Sequence, residues 1–281
     1  MSRVVVVTDS TAYIPPALLE QYHIRVIPLH VIREPETFLD GVTIDPLTFY
    51  TRLAADKQIP TTAQPSAGEF MDFFVEAAPE AKAIVGVFIS NELSGTIASA
   101  LAARKLLSGR TIEVVDSRST SMGLGFVALA AARAAAQGKS LAEVVGVARQ
   151  LVPQTHVLFV VEALEYLHRG GRIGGASRWM GTALRIKPLL HLNEGRVDAL
   201  ERVRTKGKAL ARMLGVMAER VGEAPTVHAA VIHANAPNEA LALRDRIERR
   251  FACETPPIVP LSPAIGTHVG PGTVGVAFYA D

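Results

Sequence analysis

The sequence has almost no cysteine and no long apolar run. A single cysteine in 281 residues, Cys253, excludes an intrachain disulfide framework and any Cys-x-x-Cys metal site. No apolar stretch reaches the ~18 residues that a membrane span needs. The valine run near the N-terminus ends at Thr8 and Asp9, so it is too short for a secretion signal. We therefore expect a cytoplasmic protein.

Motifs of nucleotide and hydrolytic chemistry are also missing. The sequence has no phosphate-binding loop and no nucleophile-elbow serine, and its eight histidines form no His-x-x-x-His pair. Gly123 and Gly125 resemble a dinucleotide fingerprint, but residues 117–122 separate them from the preceding strand-like run, so close helix packing explains them better. We expect no metal and no cofactor.

Charge is scarce overall but unevenly placed. The net charge is +2, whereas residues 169–212, here called the basic segment, hold 11 Lys/Arg and 3 Asp/Glu. The segment is either a solvated surface or a docking face for an acidic or phosphate-bearing partner. Aromatic residues are few there and no nucleic-acid motif accompanies the charge, so a nucleic-acid partner is not expected.

One pattern recurs three times in the first 150 residues: an apolar run, a hydroxyl-rich turn and a helix-like stretch. The runs are residues 4–7, 83–89 and 112–115, and the turns are residues 8–11, 90–96 and 116–121. Such alternation predicts a parallel sheet covered by helices. Because ligands bind beyond the carboxyl ends of parallel strands, we expect the three hydroxyl clusters to converge.

The rhythm changes near residue 155. Strands are predicted at 227–233 and 275–279, a helix at 238–250, a helical stretch from Trp179 to Lys187, and a hairpin turning at residues 193–195. The predicted fold is α/β, with an N-terminal three-layer, parallel-sheet domain over residues 1–155. A second, smaller α/β (α+β) domain covers residues 156–281.

Two polar stretches admit a structural and a functional interpretation. Ser66 with Glu69 forms a capping box for a predicted helix, which leaves Thr61, Thr62 and Gln64 without a structural role. In residues 90–96, Ser94 or Thr96 either caps the next helix or helps to bind an anion at that helix N-terminus.

Two glycine-rich stretches complete the set of candidates. His268 lies in a predicted glycine loop, residues 265–272, that either contacts a ligand or simply turns. Arg169 and Arg172 flank a double glycine, and guanidinium groups on such a turn suit phosphate or carboxylate recognition.

These stretches together resemble the DegV family, the acyl-binding subunits of bacterial fatty-acid kinase. The resemblance covers nearly the whole chain and rests on eight motifs in the family's order. They are TDST at 8–11, TTAQPS at 61–66, ISNELSGT at 89–96, VVDSRSTSMGLG at 114–125, YLHRGGRI at 166–173, KPLL at 187–190, RVRTKGKA at 202–209 and THVGPGTVG at 267–275. Ala63 and Asn91 stand where the family usually has serine.

The resemblance implies a lipid-binding protein without catalytic residues of its own, which holds a long-chain fatty acid between its domains. A separate kinase would phosphorylate the acid, and the acyl phosphate would feed phospholipid synthesis. The carboxyl-binding residues implied are Thr62, Ser94, Thr61 and His268. The residues implied to face the kinase or, transiently, a membrane surface are Arg169, Arg172 and Arg202.

An enzyme of acyl or phosphoryl transfer is the alternative. It would act on a small carboxylate and use Asp9 or Asp116 together with Ser94.

Overall fold

A computed structural model describes residues 4–55, 59–79 and 83–281. Its first sheet is parallel throughout, with the strand order β2-β1-β6-β7. The strands are β1 (Val4–Asp9), β2 (Arg25–Ile27), β6 (Ala83–Phe88) and β7 (Thr111–Asp116). β6 is buried along its whole length, as expected for a central strand covered on both faces.

Helices cover both faces of this sheet. On one face, Phe70 and Phe74 of α3 pack with Phe88, the last residue of β6. On the other face, the alanine-rich α5 and the helix α6 pack against alternate strand residues such as Val85 and Val87. The helices before residue 156 are α1 (Pro16–Gln21), α2 (Pro46–Ala55), α3 (Ala67–Ala77), α4 (Thr96–Leu106), α5 (Ser121–Ala136) and α6 (Leu141–Leu151). The predicted three-layer arrangement is confirmed.

A small antiparallel sheet, which the sequence pattern did not predict, lies between β2 and α3 in the chain. Its strand order is β4-β3-β5, and Val31 pairs with Thr62. The strands are β3 (His30–Arg33), β4 (Glu36–Leu39) and β5 (Thr61–Ala63). Strands this short contain too few residues for an alternating pattern to stand out.

The strands after residue 155 form a third sheet, in the order β10-β9-β8-β13-β11-β12. They are β8 (His156–Val160), β9 (Lys187–Asn193), β10 (Arg196–Val203), β11 (Val227–His233), β12 (Ile258–Pro260) and β13 (Val274–Ala280). The accompanying helices are α7 (Glu165–Arg169), α8 (Lys206–Val221), α9 (Pro237–Glu248) and α10 (Pro263–Val269). Sheet membership thus changes at the predicted boundary, while one apolar core runs through both parts.

The local predictions have mixed outcomes. The Ser66 capping box and the hairpin turn after Asn193 are both present. The stretch around Trp179 forms 3₁₀ turns over Gly174–Arg185 instead of an α-helix. Residues 263–269, part of which was predicted as a glycine loop, form α10, because Ser262 caps the helix and Pro263 occupies its first turn. Within the described residues, none of the helices combines the length and the apolar composition of a membrane span.

Candidate functional site

A cavity lies between the carboxyl edge of the parallel sheet and the six-stranded sheet. It encloses about 810 Å³ of space, counting its open mouth. Most of its wall is apolar and comes from β8 to β11 and α10, including Val157, Phe159, Leu192, Val197, Ile232 and Ile265. The lining is that of a small-molecule site whose occupant is largely hydrocarbon.

The polar groups of the wall include a hydrogen-bonded pair from distant parts of the chain. Thr62 Oγ1 on β5 lies 2.8 Å from His268 Nε2 on α10. Thr62 is half-buried and faces the cavity. The structure therefore brings together two residues, 206 positions apart, that the sequence singled out separately.

The imidazole of His268 is neutral and packed closely. Burial, and secondarily the charge of Arg172, lowers the pKa of His268 from 6.5 to about 4. Its Nδ1 is buried and has no hydrogen-bond partner among the described residues. A Cβ atom added at Gly170 would overlap with Nδ1, so the double glycine makes room for this ring. Neutral at pH 7, the ring offers the cavity one hydrogen bond and no charge.

Ser94 lines the cavity just before α4. Of the two interpretations of Ser94 and Thr96, a helix cap and an anion contact, the structure does not show the cap: the cap position is Gly95, and no side-chain cap bond is made. Ser94 Oγ lies 2.9 Å from Thr96 Oγ1 and accepts only a long bond, 3.4 Å, from Thr96 N. The first amides of α4 therefore remain available to a negative group.

Thr120 and Ser121 are wall residues that the sequence did not single out individually. Both hydroxyl oxygens are buried and lack a hydrogen-bond partner among the described residues. Thr120 is the cap residue of α5 without making a cap bond, and Ser121 has a φ of 51°. Unsatisfied buried hydroxyls are costly unless a ligand pairs with them. Their only sequence signal was membership of the third hydroxyl cluster.

Arg172, which we predict to be partner-facing, lies in the wall of the cavity. Its Nε donates to the carbonyl of Leu93 (3.0 Å) and its Nη1 to the carbonyl of Gly170 (2.7 Å). The side chain is half-buried in the cavity wall beside His268. Arg172 thus supplies a fixed positive charge to the polar end of the cavity.

A groove that opens to the surface adjoins this polar end. Thr62, Arg172 and His268 line both the cavity and the groove. Thr61 lines the groove and does not line the cavity. We predict Thr61 beside the other carboxyl-binding residues, and in the structure it shares the groove, but not the cavity, with Thr62 and His268.

The other two predicted basic residues are exposed. Arg169 lines the groove and forms an ion pair with Glu165, 2.5 Å away. Arg202 lies on β10, at the edge of the six-stranded sheet, with its guanidinium 5.3 Å from the ring centroid of Trp179. Arg202 lines neither the cavity nor the groove, so the three arginines do not share one site.

The first hydroxyl cluster does not converge with the other two. Asp9 accepts hydrogen bonds from Thr11 and from Ile89 N, and Ser10 donates to Asp40. These groups line a separate pocket behind the site. The side chains of this cluster form internal hydrogen bonds. The strand that it follows, β1, is separated from β7 by β6.

Neither aspartate proposed for the alternative enzyme bonds to Ser94. Asp9 accepts from Thr11 Oγ1 and from Ile89 N, and Asp116 accepts from Arg118 N. Among the described residues, no group of three or more His, Cys, Asp or Glu could hold a metal ion. Asp9 and Asp116 therefore form no base–nucleophile pair with Ser94 among the described residues.

Comparison with known proteins identifies the family. The model of the DegV family, described as a family of uncharacterised proteins, matches residues 3–281. The chain belongs to the DegV family. A DegV domain-containing protein of Streptomyces coelicolor is 40% identical over 280 residues, which cover 98% of each chain.

Solved DegV structures share the whole fold. A DegV family protein from Thermus thermophilus, described as fatty acid binding, superposes with a TM-score of 0.94 at 34% identity, covering 99% of this chain and 100% of the other. DegV of Bacillus subtilis, described as a fatty acid binding protein, gives 0.93 at 31% identity over the full length of both chains. These two DegV proteins are therefore lipid-binding proteins on the same fold.

Proposed function

We propose that this protein binds one long-chain fatty acid in the cavity and presents its carboxyl group to a separate fatty-acid kinase. The observation that carries the proposal is the polarity of the cavity wall. Its apolar part suits an acyl chain, Thr62 and His268 lie where the cavity meets the groove, and Ser94 lines the cavity. The two DegV structures described as fatty acid binding support the same ligand class.

The apolar wall accounts for affinity and the polar end for orientation. Each buried methylene is worth about 0.8 kcal/mol, so ~14 of them contribute roughly 11 kcal/mol before the costs of ordering. The hydroxyls of Thr62 and Ser94 and the amides of α4 hold the carboxyl group. Arg172 adds positive potential while its own donors bond to Leu93 and Gly170.

The groove supports the kinase partnership. A carboxyl group at the junction of cavity and groove lies next to a surface that carries Arg169 and Thr61. A kinase docked there would reach the carboxyl group without extracting the acyl chain. The acyl phosphate then serves phospholipid synthesis, and the exposed Arg202 belongs to the surface that contacts the kinase or a membrane.

The ligand is tested by mass spectrometry of an organic extract of the freshly purified protein. We expect one fatty acid per chain. Thr62→Ala and Ser94→Ala should each weaken fatty acid binding by about 10- to 100-fold, since each removes a hydrogen bond to a charged group worth about 1.5–3 kcal/mol. Protein that is empty, and stays empty when offered fatty acids, would contradict the proposal.

The partnership needs a second assay. Purified protein with bound acid, a fatty-acid kinase and ATP should yield acyl phosphate, trapped with hydroxylamine, whereas the protein without the kinase should yield none. Arg169→Glu should lower the yield while leaving acid binding unchanged. An unaltered yield would remove Arg169 from the docking surface.

A further inference from the structure

A buried carboxyl group behind the site joins three separate stretches of the chain. Asp40 is 1% exposed and follows β4. Its Oδ2 accepts a 2.7 Å hydrogen bond from Ser10 Oγ, and its Oδ1 accepts a 3.4 Å bond from the N–H of Ala264. Asp40 lines the pocket behind the cavity and has no contact with the cavity itself.

One of these contacts holds the start of the helix that carries His268. Ala264 lies in the first turn of α10, and His268 lies in its last turn. The cap residue Ser262 accepts from Ile265 N at 3.3 Å, and its hydroxyl lies near enough to the Asp40 carboxyl group to lower the pKa of Asp40. A helix of seven residues has few internal hydrogen bonds, so contacts at its first turn decide its orientation.

The other contacts hold the sheet that carries Thr62. Ser10 Oγ, bonded to Asp40, accepts from Leu29 N at 3.0 Å. The backbone N–H of Asp40 donates to the carbonyl of Leu29 at 2.9 Å. Leu29 leads into β3, in which Val31 pairs with Thr62. The same residue therefore fixes both elements whose side chains meet as the Thr62–His268 pair.

We propose that Asp40 is a positioning residue. It holds the Thr62–His268 hydrogen bond in place and, through that bond, supports the binding of the carboxyl group of the ligand. The second half of this statement rests on the proposed function, whereas the first concerns the protein alone. The groups that face the Asp40 carboxylate are Ser10, Ser262, Ala264 N, Asp9, Tyr13 and Tyr50.

The first test needs no ligand. In delipidated protein, the pKa of His268 is measured by NMR titration of the imidazole. In Asp40→Ala we expect it to rise from about 4 toward the ordinary 6.5, because α10 shifts and the ring gains water. Asp40→Asn, which keeps a carbonyl acceptor for Ala264 N–H, should retain the low value. An unchanged titration in folded Asp40→Ala would overturn the proposal.

Ser140→Ala is the matched control for lost stability. It removes the capping box of α6, remote from the site, and should leave the titration of His268 unchanged. If Asp40→Ala does not fold, Ser262→Ala removes the other side-chain contact at the start of α10 and should raise the pKa of His268 in the same direction. A folded Ser262→Ala with an unaltered titration would then overturn the proposal.

The second test is a double-mutant cycle on fatty acid affinity. Asp40→Ala should weaken binding about tenfold in the wild-type background and clearly less in a His268→Ala background, because part of the effect passes through the imidazole. Equal losses in both backgrounds would show a general structural role and contradict the proposal. If the wild type binds no fatty acid, the proposed function fails, and the ligand-free titration still decides the role of Asp40.

Discussion

Gly170 and the imidazole of His268 are fitted to each other. Gly170 has an ordinary helical φ of −75°, so its backbone tolerates any residue. The space above it does not, because a Cβ atom there would overlap with His268 Nδ1. The neighbouring Gly171 is the reverse, with a φ of 70° and nothing within 4 Å of an added Cβ. Gly170 is therefore favoured by the lack of space for a side chain, and Gly171 by its left-handed backbone conformation.

This contrast predicts opposite phenotypes for two alanine variants. Gly170→Ala should displace His268 and weaken fatty acid binding at least tenfold. Gly171→Ala should leave binding unchanged and lower the free energy of unfolding by about 1–2 kcal/mol through left-handed strain. Displacement of a fluorescent fatty acid and urea unfolding measure the two effects. Equal binding losses in both variants would argue against the His268 contact.

At the scale of elements, the β9–β10 hairpin joins the two parts of the chain beside the cavity. Leu192 and Val197 on the hairpin line the cavity. At its tip, Arg196 Nε donates to Glu92 at 2.6 Å, and Glu194 pairs with Arg118. Gly195, with a φ of 82°, packs against Ser90 so closely that a Cβ atom would overlap with its hydroxyl.

Gly195 and Gly109 provide a matched pair for this contact. Both have a φ of 82°, but Gly109 has nothing within 4 Å of an added Cβ. Each alanine variant should lose about 1–2 kcal/mol from left-handed strain. Gly195→Ala should lose a further 1–3 kcal/mol, roughly, from overpacking against Ser90. Urea unfolding measures the difference, and equal losses would mean that the tip moves away without cost.

At the scale of the whole molecule, buried groups make stability depend on pH in two opposite directions. The pKa of His268 falls to about 4 on folding, so the unfolded chain binds more protons between about pH 4 and 6.5, and stability is lost as the pH falls. Burial raises the pKa of Asp9 and Asp40 from 3.8 to about 6. Their contribution is present below pH 3.8 and is lost as the pH rises through 6.

A comparison with His268→Gln separates the histidine from the carboxyl groups. Between pH 7 and pH 5, the unfolding free energy of the wild type should fall by about 1–2 kcal/mol relative to the variant. Urea unfolding at both pH values measures this, with the exposed His168→Gln as control. Parallel pH profiles for wild type and His268→Gln would show that His268 is not buried neutral.

The sequence by itself determined the layers of the fold, the family and several local features such as helix caps. Apolar runs that alternate with helix-like stretches specified the parallel sheet, because a strand buried on both faces must be apolar throughout. Ser66 and Glu69 specified a capping box within three residues. Such features depend on neighbours in the chain, so their pattern is visible in the sequence.

Only the tertiary structure decided which polar residues share the cavity. It paired Thr62 with His268, added Thr120, Ser121 and Arg172 to the wall, and assigned the first hydroxyl cluster to internal bonds. The physical reason is that these contacts join residues far apart in sequence. Their geometry depends on strand order and on one short helix, α10, whose orientation no local pattern specifies.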